Sequence, residues 1–492
     1  MKPDFAICPS LFTPASAQDG ILSRLRIPGG ILTTRQCEAI SQLTDQFADR
    51  SVQITNRANI QIRGMHTCLN PETLDNLQKL GLASSIESVD AIRNIMSSPT
   101  AGIDRQQLFD PRPVVREWND YLIAHPDLAV LSPKFSVCFD GGESVSVIDR
   151  PNDIGLRAEQ IDREIYLRLY LSTGDRGDAP RDAGISIAPA QALPVLVALT
   201  EVYWDYICKN SHLNLQAKSR KPRLRELLAA HGIEAYLQDV ENLLAFSLMR
   251  SPKSSENSNK NSYKHLGVHA QAQMGYSYIG IVIPLGRLDS TQFRGLGDLA
   301  NRYGNGELRL TPWQNAIVPN IPNTSLEIVQ KRIESLGLSW SASHPYSAIV
   351  ACSGITGCKS SATDTQAHAK SIASHLEQSL TLDRPINIHL SGCDRSCAQH
   401  QKSDIALLGV TVDGKEAYQV YVGEEIADGG SKFGRSLKLE CSTESLPNLV
   451  KHMIEIYQRQ RISKEQSFGE FANNQAIKIL KELLDAGMEE KN

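Results

Sequence analysis

Four of the ten cysteines fall into two pairs, Cys352 and Cys358 with five residues between them and Cys393 and Cys397 with three, separated by 34 residues. Four thiolates can hold zinc or an iron–sulfur cluster, but structural zinc sites usually leave only about two to four residues inside a pair. The wider first gap therefore favours a cluster, whose iron corners lie farther apart than the ligands of one zinc ion, and Gly354 and Gly357 would let backbone N–H groups approach its sulfides. An apolar run from Ile386 to Leu390 leads directly into Gly392 and Cys393, and another from Tyr346 to Val350 ends at Ala351, one residue before Cys352. Both pairs are thus expected at strand ends, where α/β folds commonly build their sites. The remaining thiols, Cys8, Cys37, Cys68, Cys138, Cys208 and Cys441, are scattered and read as core or surface residues.

A second set of residues suggests anion binding. Arg24 and Arg26 are two apart in one strand-like segment, and Arg57, Gln61 and Arg63 are related by even spacings in another, so each set is expected to share a face. Together they predict a basic wall suited to carboxylates, which a planar guanidinium binds through paired hydrogen bonds. The plain alternative for each arginine is a solvated surface charge.

The elements that must carry these residues are duplicated. At an offset of 256, Ile27 to Asn59 matches Ile283 to Asn315 without a gap and with eight identities. Each copy reads as strand, Pro-Gly turn, helix and strand. Thr33 or Asp289 caps the helix, and the second strands, Val52 to Ile54 and Leu308 to Leu310, have the alternation of half-buried strands. A weaker echo relates Asp153-Ile154-Gly155-Leu156 with Tyr166 to Tyr170 to Asp404-Ile405-Ala406-Leu407 with Tyr418 to Val422. The two copies differ in charge, since Arg24, Arg26, Arg57 and Arg63 correspond to Gly280, Val282, Trp313 and Pro319. A fold that dispenses with these arginines once does not require them, so a ligand on the first half explains them better.

At 492 residues the chain is expected to contain several domains. The reading is a first half-domain over 1–66, a larger α/β domain over 67–250 and a polar linker over 251–264. A second half-domain follows over 265–325, then a cysteine-bearing α/β domain over 326–460 and a helical tail over 461–492, with apolar residues at helical spacing from Ile477 to Leu484. Apolar residues at 41%, charged residues at 22% and a formal net charge of −4 give no broad field for nucleic acid. No segment reads as a secretory signal or a membrane span, and the sparse cysteines fit a reducing cytoplasm.

These features together resemble the sulfite and nitrite reductase superfamily, whose members carry cysteine pairs of this spacing on a 4Fe-4S cluster. The likeness includes Arg24 to Gly30, Thr55 to Gln61 and the tail motif Ser467 to Phe471. It implies an α+β fold with two ferredoxin-like half-domains and two larger α/β domains. It also implies that Cys352, Cys358, Cys393 and Cys397 ligate the cluster, with Cys397 bridging to sirohaem where sirohaem is present. The superfamily's anion-binding positions fall on Arg24, Arg57, Arg93 and Lys134, while Ser136 stands where a second lysine is expected. Within the superfamily, Thr55 to Gly64 (TNRANIQIRG) and Leu310 to Trp313 (LTPW) look most like the precorrin-3B synthases. That likeness implies a monooxygenase of cobalamin biosynthesis acting on precorrin-3A with molecular oxygen and an electron donor. Arg24, Arg26, Arg57, Gln61, Arg63, Arg93 and Lys134 would then hold the substrate, and a mononuclear non-haem iron, with His389 or His400 as a ligand, would activate oxygen. The alternatives are a ferredoxin-dependent nitrite or sulfite reductase using sirohaem, and a non-catalytic tetrapyrrole-binding iron–sulfur protein.

Overall fold

The computed structural model describes residues 8–211, 221–252, 263–424 and 432–489. The expected linker lies mostly outside the described residues, as do the last three residues of the tail. The chain divides into two compact units. One contains 1–16, 20–280 and 288–336, and the other contains 17–19, 281–287 and 337–492.

The duplication is visible in the first unit at the level of single hydrogen bonds. Helices Thr34–Phe47 and Ser290–Tyr303 both begin with a capping box, built by Thr33 with Gln36 and by Asp289 with Gln292. The two glutamines then reach equivalent carbonyls, Gln36 Nε2 to Leu80 O at 2.8 Å and Gln292 Nε2 to Leu336 O at 3.0 Å. The offset of 256 therefore extends well beyond Asn59. Strand Ile31–Thr33 pairs antiparallel with Glu307–Leu310 of the other copy, and the strand holding Leu288 and Asp289 takes the corresponding outer place beside Ser51–Ile54. The second strands are more deeply buried than their alternation predicted: Val52, Gln53 and Ile54 are all buried, as are Leu308, Arg309 and Leu310, because the exchanged strands and the paired helices cover both faces.

The first unit also holds a six-stranded sheet. Ile95–Ser97, Val137–Asp140 and Ile154–Ile161 run parallel, and Glu164–Leu171 and Arg181–Ile187 continue antiparallel. Helices Arg112–Ala124 and Ala192–Ser211 cover it, with Trp118, Val195 and Leu199 in the shared core. In the second unit, Ile349–Ala351, Ile388–Ser391 and Ile405–Val412 run parallel, and Lys415–Val422 and Arg435–Ser442 run antiparallel. Helices Thr365–Ser379 and Leu446–Gln460 bury Ile372, Leu376, Val450 and Ile454 in its core. The two sheets thus share strand order and direction. The echo of Asp153 in Asp404 has a structural meaning: Asp153 Oδ2 accepts the Ser136 N–H at 3.0 Å, and Asp404 Oδ2 accepts the Asn387 N–H at 2.8 Å. Each aspartate anchors the start of the middle parallel strand.

Candidate functional site

Loops that follow parallel strands are tied together in both sheets. In the first unit, the loops after Ile95–Ser97 and Val137–Asp140 are pinned together by side chains. Ser98 Oγ donates to Val145 O at 2.9 Å, and Asp104 Oδ2 accepts the Ser144 N–H at 3.0 Å and its hydroxyl at 2.6 Å. The corresponding loops of the second unit carry the cysteine pairs. Cys352 N donates to Leu390 O at 3.2 Å, and the Gly392 N–H donates to Cys352 Sγ at 3.3 Å. Cys358 O accepts from Ser361 N at 3.1 Å, and Ala362 N donates to Gly392 O at 2.7 Å, which ties the Cys358 loop to the residue before Cys393. Cys352, Cys358 and Cys393 therefore belong to one hydrogen-bonded loop cluster, and the exposed Cys397 follows on the turn through Ser396. Two glycines are structurally required here. Gly354 has φ +68°, and a Cβ on Gly392 would lie 1.7 Å from Ser361 Oγ.

Among the described residues, no three Cys, His, Asp or Glu side chains converge closely enough to hold a single metal ion. A cubane presents its corners farther apart than one ion's ligands, so a four-cysteine cluster is a different geometric requirement. The expected mononuclear iron has no such ligand set. His389 is buried in strand Ile388–Ser391, where it stacks on Phe433 at 6.1 Å, and burial pushes its pKa down to about 3. This ring is a neutral core residue.

The arginines occupy the first unit, and the structure divides their roles. Arg24, Gln61 and Gln53 are in register across three strands. Arg24 Nη2 donates to Gln61 Oε1 at 2.9 Å, and Gln61 Nε2 donates to Gln53 Oε1 at 3.0 Å. Gln61 thereby orients Arg24, whose Nε–H is buried with no acceptor among the described residues. Arg57 projects from a tight turn closed by Thr55 N to Asn59 O at 2.8 Å and Asn59 N to Thr55 Oγ1 at 3.1 Å. Its Nη1 reaches Asn152 Oδ1 at 3.3 Å across a narrow crevice also lined by Asn59, Asn94, Ile95 and Met96. Burial lowers the pKa of both Arg24 and Arg57. Arg63 is buried on the same strand as Gln61, and Lys134 is exposed.

Arg26 and Arg93 have other work. Arg26 lies beyond the end of strand Gly20–Leu25 and is 1% exposed, with Nε on Asn94 Oδ1 at 2.8 Å, Nη1 on Pro9 O at 3.1 Å and Nη2 on Ala91 O at 3.5 Å. Arg93 is 3% exposed, with Nε on Asn119 Oδ1 at 2.9 Å and Nη1 on Asp90 Oδ1 at 3.4 Å. Both guanidinium groups are directed into protein partners. Sequence reading missed Asn94, Asn152 and Arg223. Arg223 sits in the run from Lys218 to Arg225, which by composition looks like a solvated charged face.

Duplicated half-domains, paired α/β sheets and strand-end cysteine pairs define an iron–sulfur oxidoreductase architecture. The chain matches the nitrite/sulfite reductase ferredoxin-like half domain over residues 15–80 and 269–336 and the nitrite and sulphite reductase 4Fe-4S domain over 88–248 and 346–491. It belongs to the nitrite and sulfite reductase family. It is 31% identical to the ferredoxin–nitrite reductase of Synechococcus elongatus over 88% of this chain and 85% of that protein. It is also 30% identical to a sulfite reductase [ferredoxin] of Mycolicibacterium paratuberculosis over 85% and 75% of the two chains. The solved structure of Mycobacterium tuberculosis NirA superimposes with a TM-score of 0.78 and 25% identity, covering 94% of this chain and 84% of that one.

These relatives correct the expectation of a precorrin-3B synthase using precorrin-3A and oxygen, because they are named as ferredoxin-dependent reductases. The misleading stretches have a structural explanation. Thr311 N to Asn315 O at 2.9 Å and Asn315 N to Thr311 Oγ1 at 3.1 Å repeat the bonds that Thr55 and Asn59 make. TNRAN and the TPWQN segment that follows Leu310 are thus the same turn built twice, held in each by its first Thr and last Asn.

Proposed function

We propose that this chain is a ferredoxin-dependent reductase of a small oxyanion, nitrite or sulfite, with a 4Fe-4S cluster on Cys352, Cys358, Cys393 and Cys397 and sirohaem as its second cofactor. The observation that carries the reading is the asymmetry of a duplicated scaffold: cysteine pairs follow the parallel strands of one sheet, while the other half carries Arg24, Arg57 and Arg63 where its repeat has Gly280, Trp313 and Pro319. The chain's residues fit both groups. The Gly392 N–H on Cys352 Sγ stabilises a thiolate, and the unpaired buried Nε–H of Arg24 suits a carboxylate on a macrocycle edge.

When bound, the cluster and sirohaem would supply the electrons for reduction of the anion. The protein's part is electrostatic. Arg24, held by Gln61, and Arg63 would hold the carboxylates of the macrocycle, while Arg57, on a turn fixed by Thr55 and Asn59, would supply a guanidinium for the anion. Lys134 is exposed and would add positive charge. Anaerobic purification followed by iron, sulfide and sirohaem quantification, then turnover of nitrite and sulfite with reduced ferredoxin, tests the proposal. A protein with no sirohaem and no turnover of either anion would refute it.

A further inference from the structure

The loops around Cys352 and Cys358 have counterparts in the first unit, matched bond for bond at an offset of 254. Cys352 N donates to Leu390 O at 3.2 Å, and Ser98 N donates to Phe139 O at 3.2 Å. Cys358 N donates to Gly354 O at 2.9 Å, as Asp104 N does to Thr100 O at 3.0 Å. Ala362 N donates to Gly392 O at 2.7 Å, as Leu108 N does to Gly141 O at 2.8 Å. Ser98 and Asp104 therefore stand where the other half has Cys352 and Cys358. The same backbone is built once without thiols, so side chains that differ around these loops mark what the cysteine-bearing half needs beyond its fold.

One such difference touches a cysteine sulfur. Thr365 opens helix Thr365–Ser379, and the offset puts Pro111, the residue before helix Arg112–Ala124, in its place. The scaffold thus starts this helix once on a residue with no hydroxyl, and the Thr365 hydroxyl is not explained by the helix. Thr365 is fully buried. Its Oγ1 donates to Cys352 O at 2.9 Å and lies 3.4 Å from Cys352 Sγ. Gln366 Nε2 also donates to Cys352 O, at 2.7 Å. That carbonyl is satisfied without Thr365, which leaves the single hydroxyl hydrogen available to the sulfur, beside the Gly392 N–H at 3.3 Å.

We propose that Thr365 is a positioning residue of the cluster: with Cys352 bound as a thiolate, the hydroxyl donates to its sulfur and raises the cluster's reduction potential. A thiolate is a stronger acceptor than a carbonyl that already has a donor. Each electron taken up by a cluster adds negative charge that is shared by the ligand sulfurs, so donors aimed at a sulfur favour the reduced form. The inference rests on the four-cysteine cluster reading and deepens it by assigning a residue that tunes the centre.

The test compares anaerobically purified wild-type holoenzyme with its Thr365→Val and Thr365→Ser variants, through iron and sulfide quantification and a redox titration followed by electron paramagnetic resonance. Thr365→Val keeps the shape and removes the hydroxyl. It should retain iron and sulfide but be harder to reduce, its reduced-to-oxidised ratio at a fixed potential falling about tenfold, or about 59 mV for one electron. Thr365→Ser should keep the wild-type midpoint. An unchanged or raised midpoint in Thr365→Val overturns the proposal, and so does an equal shift in both variants. If Thr365→Val purifies without the cluster, Thr365→Ala is titrated in its place, and loss of the cluster from both also overturns the tuning role. A wild type that holds no 4Fe-4S cluster would remove the cluster reading and this inference with it, whereas a loaded wild type with an unresponsive midpoint removes this inference alone.

Discussion

Glu38 and Arg294 occupy equivalent positions in the two copies and bond to each other, with Arg294 Nε 2.7 Å from Glu38 Oε2. Residues related by the repeat that also touch must lie beside the pseudo-twofold axis, so this ion pair marks where helices Thr34–Phe47 and Ser290–Tyr303 cross. Arg294 also reaches Asp45 Oδ2 at 2.9 Å, and bonds from Ser290 and Arg294 lower the Asp45 carboxyl to about 2. The pair is partly exposed, so Arg294→Gln should cost no more than about 1 kcal/mol in urea unfolding. The exchange Glu38→Arg with Arg294→Glu should recover part of it; a double variant weaker than both single ones would contradict the assigned contact.

Cluster ligation predicts a sharp contrast among cysteines. Cys352→Ser and Cys393→Ser should abolish the visible absorption of the cluster and its iron and sulfide content, while Cys441→Ser, on the sheet strand Arg435–Ser442, should retain both. Gly392→Ala should also lose the cluster, since its methyl group would collide with Ser361.

Arg26 and Arg57 should separate stability from binding. Arg26→Met removes three buried donors and leaves Asn94 Oδ1 unpaired, and is expected to lower unfolding stability by about 1–3 kcal/mol with little change in nitrite KM. Arg57→Gln should do the reverse, raising KM about tenfold or more with a small change in stability. Similar KM effects in both variants would mean that the structural division of the arginines is incorrect.

Acid sensitivity should come from buried imidazoles. His265, stacked on Trp313 at 4.4 Å, is pushed down to about 3 by burial, as is His389. Each is neutral in the folded state, and each takes up a proton on unfolding once the pH is below about 6.5. The stability they contribute is complete above that value and falls as pH drops toward 3, by roughly 1.4 kcal/mol per pH unit for each histidine. Urea midpoints measured between pH 7 and pH 4 should show this slope, and His265→Phe should flatten it for the first unit; an unchanged slope would argue that the ring is already charged in the fold.

Much of the architecture was legible because it is written in local terms. The capping residues Thr33 and Asp289, the offset that aligns them and the spacing of the four cysteines are properties of short segments, and repeated segments fold alike because their hydrogen bonds close within a few residues. That determined the family, the duplicated α+β fold and the strand-end position of both cysteine pairs. Tertiary structure decided which charges are available. Arg24 and Arg26 look equivalent in sequence, yet one is braced by Gln61 with a donor left over and the other is saturated by Asn94, Pro9 and Ala91. Arg223 reads as one more cation in a charged run until the fold brings it to Asp153, 70 residues away. A guanidinium's role depends on which acceptors surround it, and those acceptors come from distant parts of the chain.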